Sequence, residues 1–157
     1  MQKNEKLIGM LNDLIRINND RFEGYKNLLT EKISLDKDVS LLVYNMASQS
    51  RTNSSVLITE VIKLRTAENT GVSFSADIYR PTMGLSKSFD GKDSQSILAA
   101  CKLREELVQK AYYDVLCVSA EIPERILNII SDQKREMKST ANMIRVSSHI
   151  PRASVAA

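Results

Sequence analysis

The residues best suited to chemistry are polar side chains near the midpoints of four long stretches with an apolar periodicity. They are two carboxylates, two amides and two phenols, namely Glu23, Glu105, Asn18, Asn53, Tyr25 and Tyr112. Carboxylates bind hard cations, and a helical di-iron centre takes a Glu from each of two helices and a Glu-x-x-His pair from each of the other two. Bonded to one another, the same residues would instead form a buried polar layer that fixes helix register.

A di-iron site needs more ligands than the sequence supplies. Glu105 is the one carboxylate predicted to face fully inward, Glu23 flanks the inner stripe of its helix, and Glu60 and Glu136 are predicted toward helix ends or outer faces. The single histidine, His149, is predicted in a C-terminal tail, and no Glu-x-x-His motif occurs. Because one or two carboxylates do not neutralise two metal ions, we predict a polar layer without metal, cofactor or catalytic residues. A weak single-metal site at Glu105 and Glu23 is the alternative.

A buried Glu105 requires hydrogen-bond partners, since an unpaired buried charge is very costly. The donors expected for it are Asn18, Asn53, Tyr25, Tyr112 or Arg104. Gly24 would allow another helix to approach closely, at a cost of ~1 kcal/mol in helix propensity. No His or Asp stands at a spacing that would activate Cys101, so this cysteine is predicted to be a small core residue.

Four helices must position these residues. Apolar residues recur at intervals of three and four over residues 4–31, 35–66, 94–118 and 123–146, which is the pattern of one buried helix face. Asn4 is the expected N-cap of the first helix, and Pro123 is expected at the first position of the fourth. The inner face of the first helix is predicted to hold Leu7, Leu11, Leu14, Asn18, Phe22, Tyr25 and Leu29.

The lengths of the connections predict the topology. Residues 32–34 form a short turn, so the first two helices should be antiparallel neighbours. Residues 67–92 hold several glycines and a proline, with a short helix expected at 79–89, and are long enough to cross the ~45 Å of a thirty-residue helix. The third helix can therefore run parallel to the second. The prediction is an all-α, ferritin-like four-helix bundle over residues 1–146, followed by a loose tail at 147–157.

Several motifs resemble those of an uncharacterised bacterial family of ferritin-like four-helix-bundle proteins, a domain of unknown function. They are Asn18-Asn19-Asp20 with Glu23-Gly24-Tyr25-Lys26, then Gly91-Lys92-Asp93, Glu105 and Lys110-Ala111-Tyr112, and the segment 78–89 is similar to that family's short linking helix. The resemblance covers about residues 5–145. It implies a fold and a loose link to stress responses, and no particular reaction.

The chain departs from that family at two positions. Ala141 stands where relatives often carry His, and Val56 stands where they often carry Glu. Both departures weaken the metal site that the resemblance would imply.

Composition bounds the function classes. A chain of 157 residues with 43% hydrophobic and 26% charged residues is typical of one globular domain. A net charge of +3, with basic and acidic residues interspersed, argues against nucleic acid as a partner. No apolar run reaches the ~20 residues of a membrane span, and the N-terminal residues do not form a secretory signal. We therefore expect a cytoplasmic protein that contacts neither nucleic acid nor membrane.

Apolar residues on the outer side of the second helix suggest association. Val43, Ile58 and Ile62 are predicted there, and burial under the crossover would explain them equally well. The resulting hypothesis is a non-catalytic bundle that acts through a homodimer or a partner protein. The alternative is a divergent iron- or manganese-binding oxidase or storage protein of the same fold.

Overall fold

Four helices make up the computed structural model, which describes residues 2–31, 35–67 and 93–149, with side chains from 4 to 144 within these ranges. They are α1 (Gln2–Thr30), α2 (Lys37–Ala67), α3 (Ser94–Leu116) and α4 (Glu124–His149), with a 3-10 turn at Ser119–Glu121. No strand occurs in these ranges, so the all-α prediction is confirmed. None of these helices combines the length and apolar character needed to cross a membrane. The expected helix at 79–89 lies outside the described residues.

The helix termini differ from prediction by a few residues. Asp93 caps α3, because its Oδ1 accepts from the Ser96 backbone N–H at 2.8 Å. α4 begins at Glu124, so Pro123 precedes it and its carbonyl accepts from Leu127 N–H at 2.9 Å. α1 already includes Gln2, so Asn4 is not its cap. α4 continues to His149, which is therefore helical and not part of a tail; residues 150–157 lie outside the described ranges.

Hydrogen bonds between helices give their directions. From α1 to α2, Asn18 bonds to Asn53 while Arg21 bonds to Ser50, so the numbers rise on one helix as they fall on the other. From α1 to α3, the same two residues bond to Tyr112 and Glu105, again in opposite order. Both α2 and α3 are therefore antiparallel to α1 and parallel to each other.

The second hairpin consists of α3 and α4. Gln109 bonds to the Lys134 carbonyl and Tyr112 bonds to Gln133, so these two helices are antiparallel. Gln49 bonds to Thr140 and Glu60 pairs with Arg125, so α2 and α4 are antiparallel as well. The closest packing is between α1 and α2 and between α3 and α4. The molecule is thus two antiparallel hairpins placed side by side.

Two apolar clusters fill the bundle, one toward each end. One combines residues from the start of α1, the end of α2 and facing parts of α3 and α4, including Leu11, Leu14, Leu57, Ile126 and Ile130. The other combines the end of α1, the start of α2 and the start of α3, including Leu28, Val39, Met46, Ile97 and Cys101. Each fully buried aliphatic side chain contributes roughly 1.5–3 kcal/mol to folding. The polar residues lie between the two clusters.

The buried faces correct some predicted positions. Leu29 is 37% exposed and Phe22 is partly buried, whereas Arg21 and Leu28 are buried in their place. Val43 is wrongly predicted to face outward, since it is 0% exposed in the cluster that also contains Leu28. The reason is that α2 is covered over a wide arc by α1 and α4, not along a narrow stripe. Ile58 and Ile62 are partly exposed, as predicted.

A pair of leucines on α2 tests this division of inner and outer faces. Leu57 is 0% exposed and Leu41 is 60% exposed. We expect Leu57→Ala to lower the free energy of unfolding by about 2–5 kcal/mol, because it leaves a cavity as well as losing buried area. The matched change Leu41→Ala should alter it by no more than ~0.5 kcal/mol. Urea unfolding followed by circular dichroism measures both, and equal effects would contradict the assigned faces.

Candidate functional site

Arg21 lies at the centre of the polar layer. Its side chain is only 1% exposed, and its Nε donates to Glu105 Oε1 at 2.9 Å and Oε2 at 3.2 Å. Its Nη1 donates to the Met46 carbonyl at 3.0 Å and to Ser50 Oγ at 2.8 Å, and its Nη2 donates to Gln49 Oε1 at 3.0 Å. The planar guanidinium therefore joins α1 to both α2 and α3.

Tyr25 completes the surroundings of Glu105. Its hydroxyl donates to Glu105 Oε1 at 2.7 Å, and its ring lies 5.6 Å from the guanidinium carbon of Arg21. Burial, and then the negative charge of Glu105, raise the pKa of Tyr25 well above its usual value. The phenol therefore stays protonated and remains a donor. Both oxygens of Glu105 are thus engaged by α1 side chains.

A ring of hydrogen bonds lies beside this ion pair, with one residue from each helix. Asn18 Nδ2 donates to Tyr112 Oη at 2.7 Å, and Tyr112 Oη donates to Gln133 Oε1 at 2.8 Å. Gln133 Nε2 donates to the backbone carbonyl of Asn53 at 3.3 Å, and Asn53 Nδ2 donates to Asn18 Oδ1 at 3.3 Å, which closes the ring. Burial raises the pKa of Tyr112, so it too stays protonated. The ring connects all four helices at one level.

The predicted site residues divide into two groups. The structure brings together Asn18, Tyr25, Asn53, Glu105 and Tyr112, all buried. It leaves out Glu23, whose side chain is 40% exposed and lies 4.0 Å from Lys26 Nζ on the same helix. Glu23 fails to reach inward because its position on α1 points away from the stripe of Asn18 and Tyr25. Of the donors expected for Glu105, Tyr25 makes the contact, whereas the other layer residues bond among themselves.

Arg21 is the residue of the polar layer that the sequence did not predict. It stands three residues after Asn18 and four before Tyr25, so helical spacing alone places it on the inner face. Arginine is almost never fully buried unless it is paired, so an arginine at an inward position is expected to reach the surface unless its partner is known. Asp20 on the same helix is also fully buried and was likewise missed.

Glu60 is another buried carboxylate: it lies toward the end of α2, as predicted, but it faces inward and not outward. It is 3% exposed, and Arg125 Nη2 of α4 lies 2.6 Å from its Oε2 while Lys63 Nζ lies 3.3 Å from its Oε1. The Arg125 guanidinium, with help from Lys63, lowers the pKa of Glu60 in spite of the opposing effect of burial. This pair joins α2 to α4 in the part of the bundle that contains Leu57 and Ile126.

The donor set does not fit a metal centre. No group of three His, Cys, Asp or Glu side chains suited to a metal ion occurs within the described ranges. The buried Glu105 already has a cation, Arg21, and a phenol as partners. Cys101 offers no thiolate, because burial and then the charge of Glu105 raise its pKa to about 12.

Two surface grooves border the layer. The groove between α3 and α4 has a volume of about 290 Å³ and is lined by Lys102, Glu105, Glu106, Gln109, Lys134, Lys138, Ala141 and Asn142. Within it, the buried Oε1 of Gln109 has no hydrogen-bond partner among the residues that the structure describes. The groove between α1 and α2 has a volume of about 260 Å³ and is lined mainly by Phe22, Leu29 and Tyr44 with Lys26 and Arg51. Neither holds a nucleophile next to a base.

Comparisons with known proteins find a family and no characterised relative. The model of the family described as "Domain of unknown function (DUF2383)" matches residues 6–117, which is more than half of the chain. No curated protein and no solved structure matches the chain. The matched segment contains α2, α3 and nearly all of α1, and hence the Arg21–Glu105 pair.

The Arg21–Glu105 pair makes a testable energetic prediction. Arg21→Met leaves Glu105 as a buried charge without its cation and should cost about 3–5 kcal/mol of folding free energy. Replacing both residues by Met should cost clearly less than the sum of the single changes, because no charge is then stranded. Urea unfolding of the two single variants and the double variant measures this coupling. Strict additivity would show that the two side chains do not depend on each other.

The Glu60–Arg125 pair predicts a pH dependence. Because the pKa of Glu60 is lower in the folded chain than in the unfolded one, the pair stabilises the fold above the unfolded pKa, whose usual value is 4.5. That contribution should disappear as the pH falls through the lower folded pKa. We therefore expect Arg125→Gln to be less stable than the parent at pH 7, with the difference shrinking below about pH 4.5.

Arg135→Gln, which removes only an exposed i,i+3 partner of Asp132, is the control. A difference that is constant with pH would contradict the assignment.

Proposed function

The chain belongs to the DUF2383 family, a domain of unknown function, and we propose that it is a ferritin-like four-helix bundle that performs no catalysis. It acts in the cytoplasm by associating with a second copy or with a partner protein. The single observation that carries this proposal is the closed bonding of its polar layer around Arg21 and Glu105.

The ferritin-like assignment is supported by helix direction. α2 and α3 run parallel although they are consecutive, which requires one long connection, here within residues 68–93. A bundle of two antiparallel hairpins joined in this way is the arrangement in which di-iron proteins place their carboxylates at mid-height. In this chain the same level holds amides, phenols and an arginine.

Arg21 takes the part that metal ions play in such bundles. A buried carboxylate needs a positive charge nearby, and the guanidinium supplies it within 2.9 Å. The neutralising group is a side chain of the polypeptide itself, so this arrangement needs no metal uptake. A catalytic layer would keep a ligand or a nucleophile free for substrate, whereas Glu105 has both oxygens occupied.

The metal-binding alternative has weaker support. It requires Glu105 and Glu23 to share an ion, but Glu23 lies at the surface next to Lys26. It also requires Glu105 to exchange Arg21 and Tyr25 for the metal, which would strand a buried guanidinium.

Association is supported by the surface. Large apolar side chains that are at least 58% exposed occur on three helices, namely Leu41, Tyr44, Leu103, Tyr113 and Met143. Single exposed apolar residues are ordinary, whereas neighbouring ones on a helix, such as Leu41 with Tyr44 on α2 or Leu103 with Leu107 on α3, are the places where an interaction surface is expected. Of the three residues predicted to supply such a surface on α2, Ile58 and Ile62 are partly exposed and Val43 is buried.

Metal analysis and light scattering together test the proposal. We expect protein produced in medium rich in iron and manganese to contain far less than one metal ion per chain, and its mean mass to rise with concentration above that of the 17.6 kDa monomer. Glu105→Gln and Glu23→Gln are the matched variants. Stoichiometric metal that is lost in either variant would support the alternative. A monomer at every concentration that captures no specific partner would refute association.

A further inference from the structure

The outer face of α3 carries an apolar stripe that the described parts of the bundle leave exposed to solvent. Leu103 is 65% exposed, the highest value for any large apolar side chain in the described ranges, and Leu107, one turn later, is 43% exposed. Ala99 is exposed one turn before them and Ala100 is partly so, which leaves room for another helix to approach closely. The opposite side of α3 holds Cys101, Glu105 and Val108 in the core, so this stripe points directly away from it.

Two opposite charges flank the stripe on one side. Lys102 and Glu106 are both exposed, and their spacing of four residues places them on the same flank of Leu103 and Leu107. Neither forms an ion pair with a residue that the structure describes, although most charged neighbours do, including Lys110 and Asp114 at 2.8 Å. On α3 itself the flank therefore presents one positive and one negative charge, and Lys134 and Lys138 of α4 line the groove beside it.

We propose that this face of α3 pairs with the same face of a second copy, the two helices running antiparallel about a two-fold axis near residue 105. The proposal rests on the association proposed above and names its surface and its partner. In this register Leu103 of each copy meets Leu107 of the other. Ala99 and Ala100 lie at the edge of the contact.

The charges decide the direction of the pair. In an antiparallel pair of helices each flank faces the same flank of the partner helix, whereas in a parallel pair it faces the opposite one. Lys102 of each copy then lies ~3 Å along the axis from Glu106 of the other, given the 1.5 Å rise per residue. Two equivalent ion pairs result, as a two-fold interface requires. Lys110 does not disturb them, because Asp114 holds it on its own helix.

The surface that one helix pair buries sets the strength of the dimer. A single contact of this kind falls below the ~1,600 Å² of a standard stable interface. The dissociation constant should therefore lie in the micromolar range, and the equilibrium between monomer and dimer should be visible in dilution experiments.

The leucines give the first test. By sedimentation equilibrium from low micromolar to millimolar concentration, the parent chain should shift from monomer to dimer. Leu103→Glu and Leu107→Glu should raise the dissociation constant at least tenfold, because each places a charge in the centre of the contact. Ser55→Glu, at an exposed residue of α2, is the control for the added charge and should leave the constant unchanged. Circular dichroism checks that all variants remain folded.

Charge exchange gives the second and sharper test. Lys102→Glu leaves two acidic residues and Glu106→Lys two basic residues at these positions of α3, so each single variant brings like charges together across copies and should dimerise at least tenfold more weakly than the parent. Mixing the two single variants should restore dimers that contain one copy of each, and the double variant carrying both changes should dimerise like the parent. Only a contact in which the two positions face each other across copies predicts this pattern.

The outcomes separate this proposal from the broader one. A dimer that resists the α3 variants, or single variants that do not recover on mixing, would overturn the α3 surface while association stands. A parent chain that stays monomeric up to millimolar concentration would overturn the dimer. If that monomer also captures no partner, the proposed function fails with it.

Discussion

The buried ion pair of Arg21 and Glu105 is the constraint around which the rest of the bundle is arranged. Removing two charges from water costs several kcal/mol per ion unless geometry and further hydrogen bonds compensate. Compensation here comes from two helices, through Tyr25 of α1 and through Ser50, Gln49 and the Met46 carbonyl of α2, so that with Glu105 on α3 three helices are joined. The neighbouring ring of Asn18, Tyr112, Gln133 and Asn53 adds the fourth helix. A sliding helix would break several of these bonds together, so the polar layer specifies register where leucines alone would tolerate a shift.

This arrangement also explains how a bundle of this topology can do without metal. In carboxylate-rich bundles the ions neutralise the acidic residues, and the fold and its cofactor are then linked. Here a guanidinium of the chain itself lies against the buried carboxylate. In the proposed function the interior of the bundle therefore serves structure alone, and association takes place through its outer faces.

Much of the fold followed from local pattern, and the site followed only in part. Interruptions of the apolar stripes were enough to identify Asn18, Asn53, Tyr25, Glu105 and Tyr112, because a polar residue at an inward position must find a partner nearby. The identity of that partner is a tertiary fact, and Arg21 was missed because the sequence does not show which charge meets Glu105. Glu60 was missed for the same reason, since Arg125 lies 65 positions away. Val43 and Glu23 depended on the exact rotation of their helices, which periodicity gives only to within a residue.

The separation of the core into two apolar clusters has a consequence for motion. Apolar contacts do not run continuously from one end of the bundle to the other, since the layer of Arg21 and its neighbours lies between them. Each end can open without dissolving the other, while the middle must break many directional bonds at once. Amide protons near the middle of α1, between Leu14 and Tyr25, should therefore exchange most slowly with solvent.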